Sequence, residues 1–226
     1  MGVVNPQGVS SAKSELTASL TITYNFARQH MKSAIQFAKQ AGKIEADNSG
    51  KACGPFFEEL RTYVSSAIIL SVCALEATIN EHLAASNGIL KGYDADLRGE
   101  LFALIEKKRV SLKEKYDLGL ILNKKPKLGF DKEPFQSLKC LIALRNALVH
   151  YKPESDKDLK DSEELRKKLR SKIKDSPFVS KTDNFLTKRA MSYSCAKWAV
   201  NTALNFSREY SKILDIGDKF SNLRRL

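Results

Sequence analysis

The chain has 226 residues, of which 42% are hydrophobic and 28% charged, and Lys and Arg exceed Asp and Glu by 38 to 26, a net charge of +12. That length and composition suit one globular domain with a sizeable core and exclude a disordered or fibrous chain. No basic-then-apolar leader opens the sequence, Pro6 stands where a myristoylation site needs Ser or Thr, and the longest charge-free apolar run, Thr62 to Leu75, is short for a membrane span. A cytoplasmic protein that does not span a membrane is the expectation. The charge is uneven: residues 101–175 hold 20 basic against 12 acidic side chains, a concentration that points to a polyanionic partner, most simply nucleic acid.

Residues 1–13 read as an arm. An apolar stripe through Leu16, Leu20, Tyr24, Ala27, Met31 and Ala38 predicts a helix from about Ser14 to Gln40, ended by Gly42. Pro55 suits the first turn of a second helix, which should run to about Ser86 and stop at Asn87-Gly88. Its middle, SSAIILSVCALEATIN, is apolar or small nearly all round, the pattern of a helix packed on several sides. Glu76 is the only charge between Thr62 and Asn80, so Glu76 and Asn80 are expected as a structural polar hub.

Residues 94–123 read as two helices meeting at Ser111, where S-x-x-E with Glu114 forms a capping box. Lys107, Lys108, Arg109, Lys113 and Lys115 cluster at that junction. The run KKPKLGFDKEP is a basic turn, and a further helix starts near Pro134, containing LIALRNALVHYKP. Residues 154–181 form a strongly charged insertion, with Glu163 and Lys167 at i, i+4. Thr182 or Asp183 should cap a last helix running to about Leu214, and residues 218–226 read as a basic tail. Cys53, Cys73, Cys140 and Cys195 are far apart, without a CxxC pair, and read as reduced thiols. The fold class is all-α: a helical bundle with four or more long helices and a charged insertion.

Chemistry concentrates in RNALVH. Leu141, Leu144 and Leu148 define a core face; Lys139, Ala143, Asn146 and His150 define a polar one. Arg145 and His150 point about 140° apart on a helix. A histidine titrates near neutrality and can take a proton from a ribose 2′-OH or give one to the leaving 5′-oxygen. An arginine can hold the scissile phosphate as its oxygens gain charge, and Asn146 can orient either. Lys107, Lys108, Arg109, Lys113, Lys139 and Lys152 are the candidate RNA-binding residues. The chain has 3 histidines and no compact ligand cluster, which points away from a metal-dependent nuclease and implies no cofactor. One histidine leaves either the acid or the base missing, and a twofold dimer would supply the other. The competing readings are a non-catalytic RNA-binding or protein-interaction module, and a structural role in which Arg145 neutralises Glu76.

At these residues the sequence resembles the HEPN superfamily, whose signature is Arg, four to six residues, then His, often with a polar residue directly after the Arg. Arg145, Asn146 and His150 fit it, and ALEATINEHL (Ala74 to Leu83) looks like the family's second helix. The resemblance covers residues 14–214 as a single domain. It implies a bundle that dimerises through the motif helix, metal-independent endoribonuclease activity with Arg145 and His150 as the catalytic pair, and toxin or antiviral defence roles, with an antitoxin protein as a possible partner. The chain departs from members inactivated by tyrosine modification: Lys152 occupies the position of their Tyr, and Tyr151 directly follows His150.

Overall fold

The computed structural model of the protein describes residues 25–85, 88–129, 131–152 and 160–226. Among these it forms seven α-helices and one π-helical turn, with no strand. The helices are α1 (Ala27–Asp47), α2 (Phe56–Ala84), α3 (Ala95–Lys107), α4 (Leu112–Leu122), α5 (Phe135–Val149), α6 (Lys160–Leu169) and α7 (Tyr193–Leu214); the π-helical turn, Phe185–Arg189, lies before α7. The all-α bundle expected from the sequence is the observed architecture. The expected arm 1–13, the start of the first helix at Ser14, the stop at Asn87 and the start of the charged insertion, 154–159, fall outside the described residues.

α2 runs through the middle of the bundle and packs against α1, α5 and α7, with further contacts to α3 and α4. Its buried residues, from Leu60 and Val64 to Ile79 and Leu83, fall on one side, and the remaining positions from Tyr63 to Glu81 are half-buried. Ala27, Ala34, Ala38 and Ala41 line the buried stripe of α1, so the two backbones can approach closely. The buried hydroxyls of Ser71 and Thr78 each donate to the carbonyl one turn back, at 2.7 Å, so neither is left unpaired inside the helix. Among the described residues α2 is also the one helix long and apolar enough to cross a membrane, by length and composition; half of that window is buried inside the bundle.

α4 and α7 close on α2 through tyrosines. The Tyr116 hydroxyl donates to the Leu75 carbonyl at 2.7 Å, the Tyr210 hydroxyl to the Tyr116 carbonyl at 3.0 Å, and the two rings meet edge-on at 4.6 Å. Gly119 makes room for this, since a Cβ there would stand 2.3 Å from the Tyr210 oxygen.

Helix starts are tied by distant carboxylates as well as by local caps. Ser111 and Glu114 form the expected capping box. α1 has no side-chain cap of its own, and Glu81 of α2 instead accepts from the Ala27 N–H at 2.9 Å. Glu45, near the end of α1, accepts from the Tyr193 N–H at 2.6 Å and so caps α7 together with Ser192.

Four expectations are corrected. The first helix passes through Gly42 to Asp47, because Gly42 lies against the Tyr193 ring, 3.0 Å from where a Cβ would sit, and serves helix packing rather than termination. The last helix starts at Tyr193, not near Asp183: Ser192 is extended and its hydroxyl is held by the Lys174 carbonyl at 2.7 Å, which breaks the helix after the π-helical turn. In α6, Glu163 pairs with Arg166 and Glu164 with Lys168, rather than Glu163 with Lys167, and Leu165, Leu169 and Ile173 are buried. The segment expected as a tail folds back along α7: Phe220 is fully buried, Arg208 donates to the Leu223 carbonyl, and the Asn201 amide bonds both backbone groups of Leu226.

His82, in the last turn of α2, is buried, and its Nε2 has no partner among the described residues. Burial, reinforced by the nearby Lys219 ammonium and opposed by Glu81 and Asp218, lowers its pKa from 6.5 to about 4. The folded chain therefore keeps this imidazole neutral in a range where the unfolded chain protonates it. Stability should fall as pH drops from about 6.5 towards about 4, by an amount on the order of 2–4 kcal/mol. Urea unfolding across that range should show a steeper loss for the wild type than for His82→Gln; parallel profiles would contradict the assignment.

Candidate functional site

α5 starts from a fixed anchor. Glu133 accepts from the Ser137 hydroxyl at 2.8 Å and the Ser137 N–H at 3.3 Å, and Lys172 donates to both Glu133 and Ser137, at 2.7 and 3.0 Å. Desolvation raises the Glu133 carboxyl, but these hydrogen bonds outweigh it and hold it below its ordinary value. From there Leu138, Leu141 and Leu144 are fully buried, which fixes the rotation of the helix and places its polar residues.

Lys139, Asn146 and His150 are exposed and Ala143 is half-buried. His150 is the C-cap: it leaves the helical conformation while its N–H still donates to the Asn146 carbonyl at 2.9 Å. Val149 and Tyr151, on either side of it in the chain, are 48% and 44% exposed, so apolar surface flanks the imidazole.

Arg145 sits between core and solvent. It is half-buried, its Nε is inaccessible to water, and it makes no hydrogen bond or ion pair among the described residues. Its position over α2 is marked by Cys73: burial pushes that thiol up, the Arg145 guanidinium opposes the shift, and Glu76 adds to it. Glu76 itself is met by Lys115, whose Nζ lies 3.2 Å from the Glu76 carboxylate and 3.1 Å from the Asn80 amide oxygen. The hub formed by Glu76 and Asn80 therefore takes its cation from α4, and Arg145 is not the ion-pair partner of Glu76.

The basic junction divides. Lys107, Lys108 and Arg109 are exposed, and Arg109 closes α3 in a left-handed conformation at φ 49°. Lys113 is paired with Asp117 along α4, and Lys115 is spent on Glu76 and Asn80. Lys152, after the motif, is exposed. The chain of neighbours Arg145, Cys73, Glu76, Lys115 puts the start of α4 next to the motif across the surface of α2.

Cys53 is exposed, Cys73 half-buried, and Cys140 and Cys195 buried, all as free thiols; burial raises Cys195 to about 12. Among the described residues no three His, Cys, Asp or Glu side chains converge as a metal site.

Two cavities flank α5. One of about 490 Å³ lies at its start, between Glu133, Lys172 and the Trp198 face of α7. The other, about 330 Å³, lies at its end, between Leu148 and Tyr151, Arg61 of α2, and the π-helical turn. Tyr151 could be noticed in the sequence by its place after His150. Arg61 carried no signal, because its approach to the motif depends on how α2 crosses α5. Comparison with protein-family models, curated proteins and solved structures returned no match.

Since Arg145 has no counter-ion among the described residues and Lys115 has one, their removal should differ in effect. Lys115→Met should cost about 1 kcal/mol, the worth of an ion pair with a partly exposed carboxylate, whereas Arg145→Met, which keeps the apolar stem, should change stability by less than about 0.5 kcal/mol. Chemical denaturation of the two variants checks this, and a larger loss for Arg145→Met would restore its structural role.

Proposed function

We propose that this chain is a metal-independent endoribonuclease of the HEPN type, working as a homodimer through the end of α5. The observation that carries the reading is Arg145: a half-buried guanidinium without an acceptor among the described residues, five residues before an exposed histidine at the end of the same helix. Its Nε is shut off from water, and a phosphate oxygen is the acceptor its planar donors fit best.

In this reaction the ribose 2′-oxygen attacks the adjacent phosphorus. One imidazole takes the 2′ proton, another protonates the departing 5′-oxygen, and Arg145 stabilises the added negative charge on the phosphoryl oxygens. The products are a 2′,3′-cyclic phosphate and a free 5′-hydroxyl, so no redox partner or outside nucleophile is consumed. Each chain brings one His150, so acid and base come from two copies, with Asn146 orienting the imidazole one turn away. Val149 and Tyr151 supply apolar surface for the second copy and for the strand. Exposed Lys107, Lys108, Arg109, Lys139 and Lys152 would track the RNA backbone; Lys113, paired with Asp117, has a weaker claim. An effector of the toxin or antiviral kind, held in check by an antitoxin protein, is the setting that the RNALVH resemblance brings with it.

The second reading, an RNA-binding module of the same fold without catalysis, is favoured by the exposed basic run that closes α3. Purified protein should cut RNA in EDTA, and His150→Ala should reduce the rate by roughly 100-fold or more while leaving RNA affinity in place. Cutting that survives His150→Ala would sink the nuclease. Salt-dependent binding without any cutting would establish the second reading instead.

A further inference from the structure

The cavity at the end of α5 has a floor, a wall and a polar rim of different chemistry. Leu186 and Met191 are buried and, with Leu148, make its apolar floor. Tyr151 stands at its edge with nearly half of its surface open. Its volume, about 330 Å³, is at the lower end of small-ligand sites and suits one planar group.

The rim is set by Arg61. Its Nη1 donates to both oxygens of Glu58, at 2.9 and 3.0 Å, which fixes the guanidinium plane. Nε and Nη2 bond nothing among the described residues, so an adjacent pair of N–H donors is left free. On the same rim, Thr62 and Ser65 donate their hydroxyl hydrogens to the Glu58 and Arg61 carbonyls, at 3.0 and 2.8 Å. Their oxygens are left as acceptors.

We propose that this cavity binds one unpaired guanine of the RNA, beside the phosphate that Arg145 and His150 act on; its role in cleavage rests on the nuclease reading, its ligand chemistry does not. The free edge of Arg61 matches the O6 and N7 acceptors of guanine. Adenine presents an N6 donor where O6 would be, and the pyrimidines have no N7. The hydroxyl acceptors of Thr62 and Ser65 suit the N1–H and the 2-amino group. Tyr151 supplies the stacking face on which single-stranded bases are held.

The test measures binding by the full-length His150→Ala chain, chosen so that cleavage does not consume the probe. The probes are short single-stranded oligoadenylates with one central G, C, U or A. The G probe should bind roughly tenfold more tightly than the other three. Arg61→Met, which keeps the stem of an exposed side chain, should erase that preference, and Tyr151→Ala should weaken all four probes by roughly tenfold. Equal binding of the four probes, no measurable binding, or a G preference that survives Arg61→Met overturns the assignment. Wild-type cutting that ignores base identity overturns the cavity's role and leaves the nuclease standing. An Arg61-dependent G preference in a protein that never cuts leaves the cavity standing and removes the nuclease.

Discussion

Lys115 reaches from α4 to the one carboxylate in the middle of the central helix, and that contact decides which cation stands beside Glu76 and which does not. Glu76 is half-buried and carries the one charge in the apolar middle of α2. Lys115 meets it at 3.2 Å, and the next residue, Tyr116, is pinned to the Leu75 carbonyl at 2.7 Å. Two consecutive residues of α4 thus bond two consecutive residues of α2. Because α4 supplies the cation beside Glu76, Arg145 of α5 is left without an ion-pair partner among the described residues.

That vacancy gives the end of α5 its character. The leucine face fixes the helix rotation, Glu133 and Lys172 fix its start, and the helix terminates on His150 itself. Arg145 stands near enough to Cys73 to act on its thiol and has no ion pair among the described residues, while Asn146 and His150 face outward. In the proposed reaction the phosphate meets a half-buried cation with no acceptor among the described residues, so little reorganisation is required. The proposed cleavage chemistry and the guanine cavity draw on the same end of one helix, which is why a short segment can combine positioning, proton transfer and base choice.

What was legible in the sequence was local. The all-round apolar run of α2, the Ser111–Glu114 capping box, the leucine face of α5 and the outward placement of Lys139, Asn146 and His150 follow from periodicity and cap chemistry, and the structure has them. What was illegible depends on partners distant in the chain. Glu81 caps α1 and Glu45 caps α7, from 54 and 148 residues away. Gly42 reads as a helix stop until the Tyr193 ring is seen against it. Ser192 ends the regular spacing before α7 because the Lys174 carbonyl claims its hydroxyl. The choice between Arg145 and Lys115 as the partner of Glu76 could not be made from spacing, since either lies far along the chain; only the crossing of α4 and α5 over α2 decides it. Phe220 and Leu226 looked like tail residues because nothing near them in sequence is apolar enough to suggest the α7 surface that receives them.

The central claim is that one chain does not complete the site. Co-expression of wild-type and His150→Ala chains in varied ratio, followed by an RNA cleavage assay on the mixed dimers, tests it most directly. If acid and base come from two copies, activity falls with the square of the wild-type fraction, because only dimers with both histidines cut. Activity that falls in direct proportion to the wild-type fraction would mean that each chain carries a complete site, and would contradict the account.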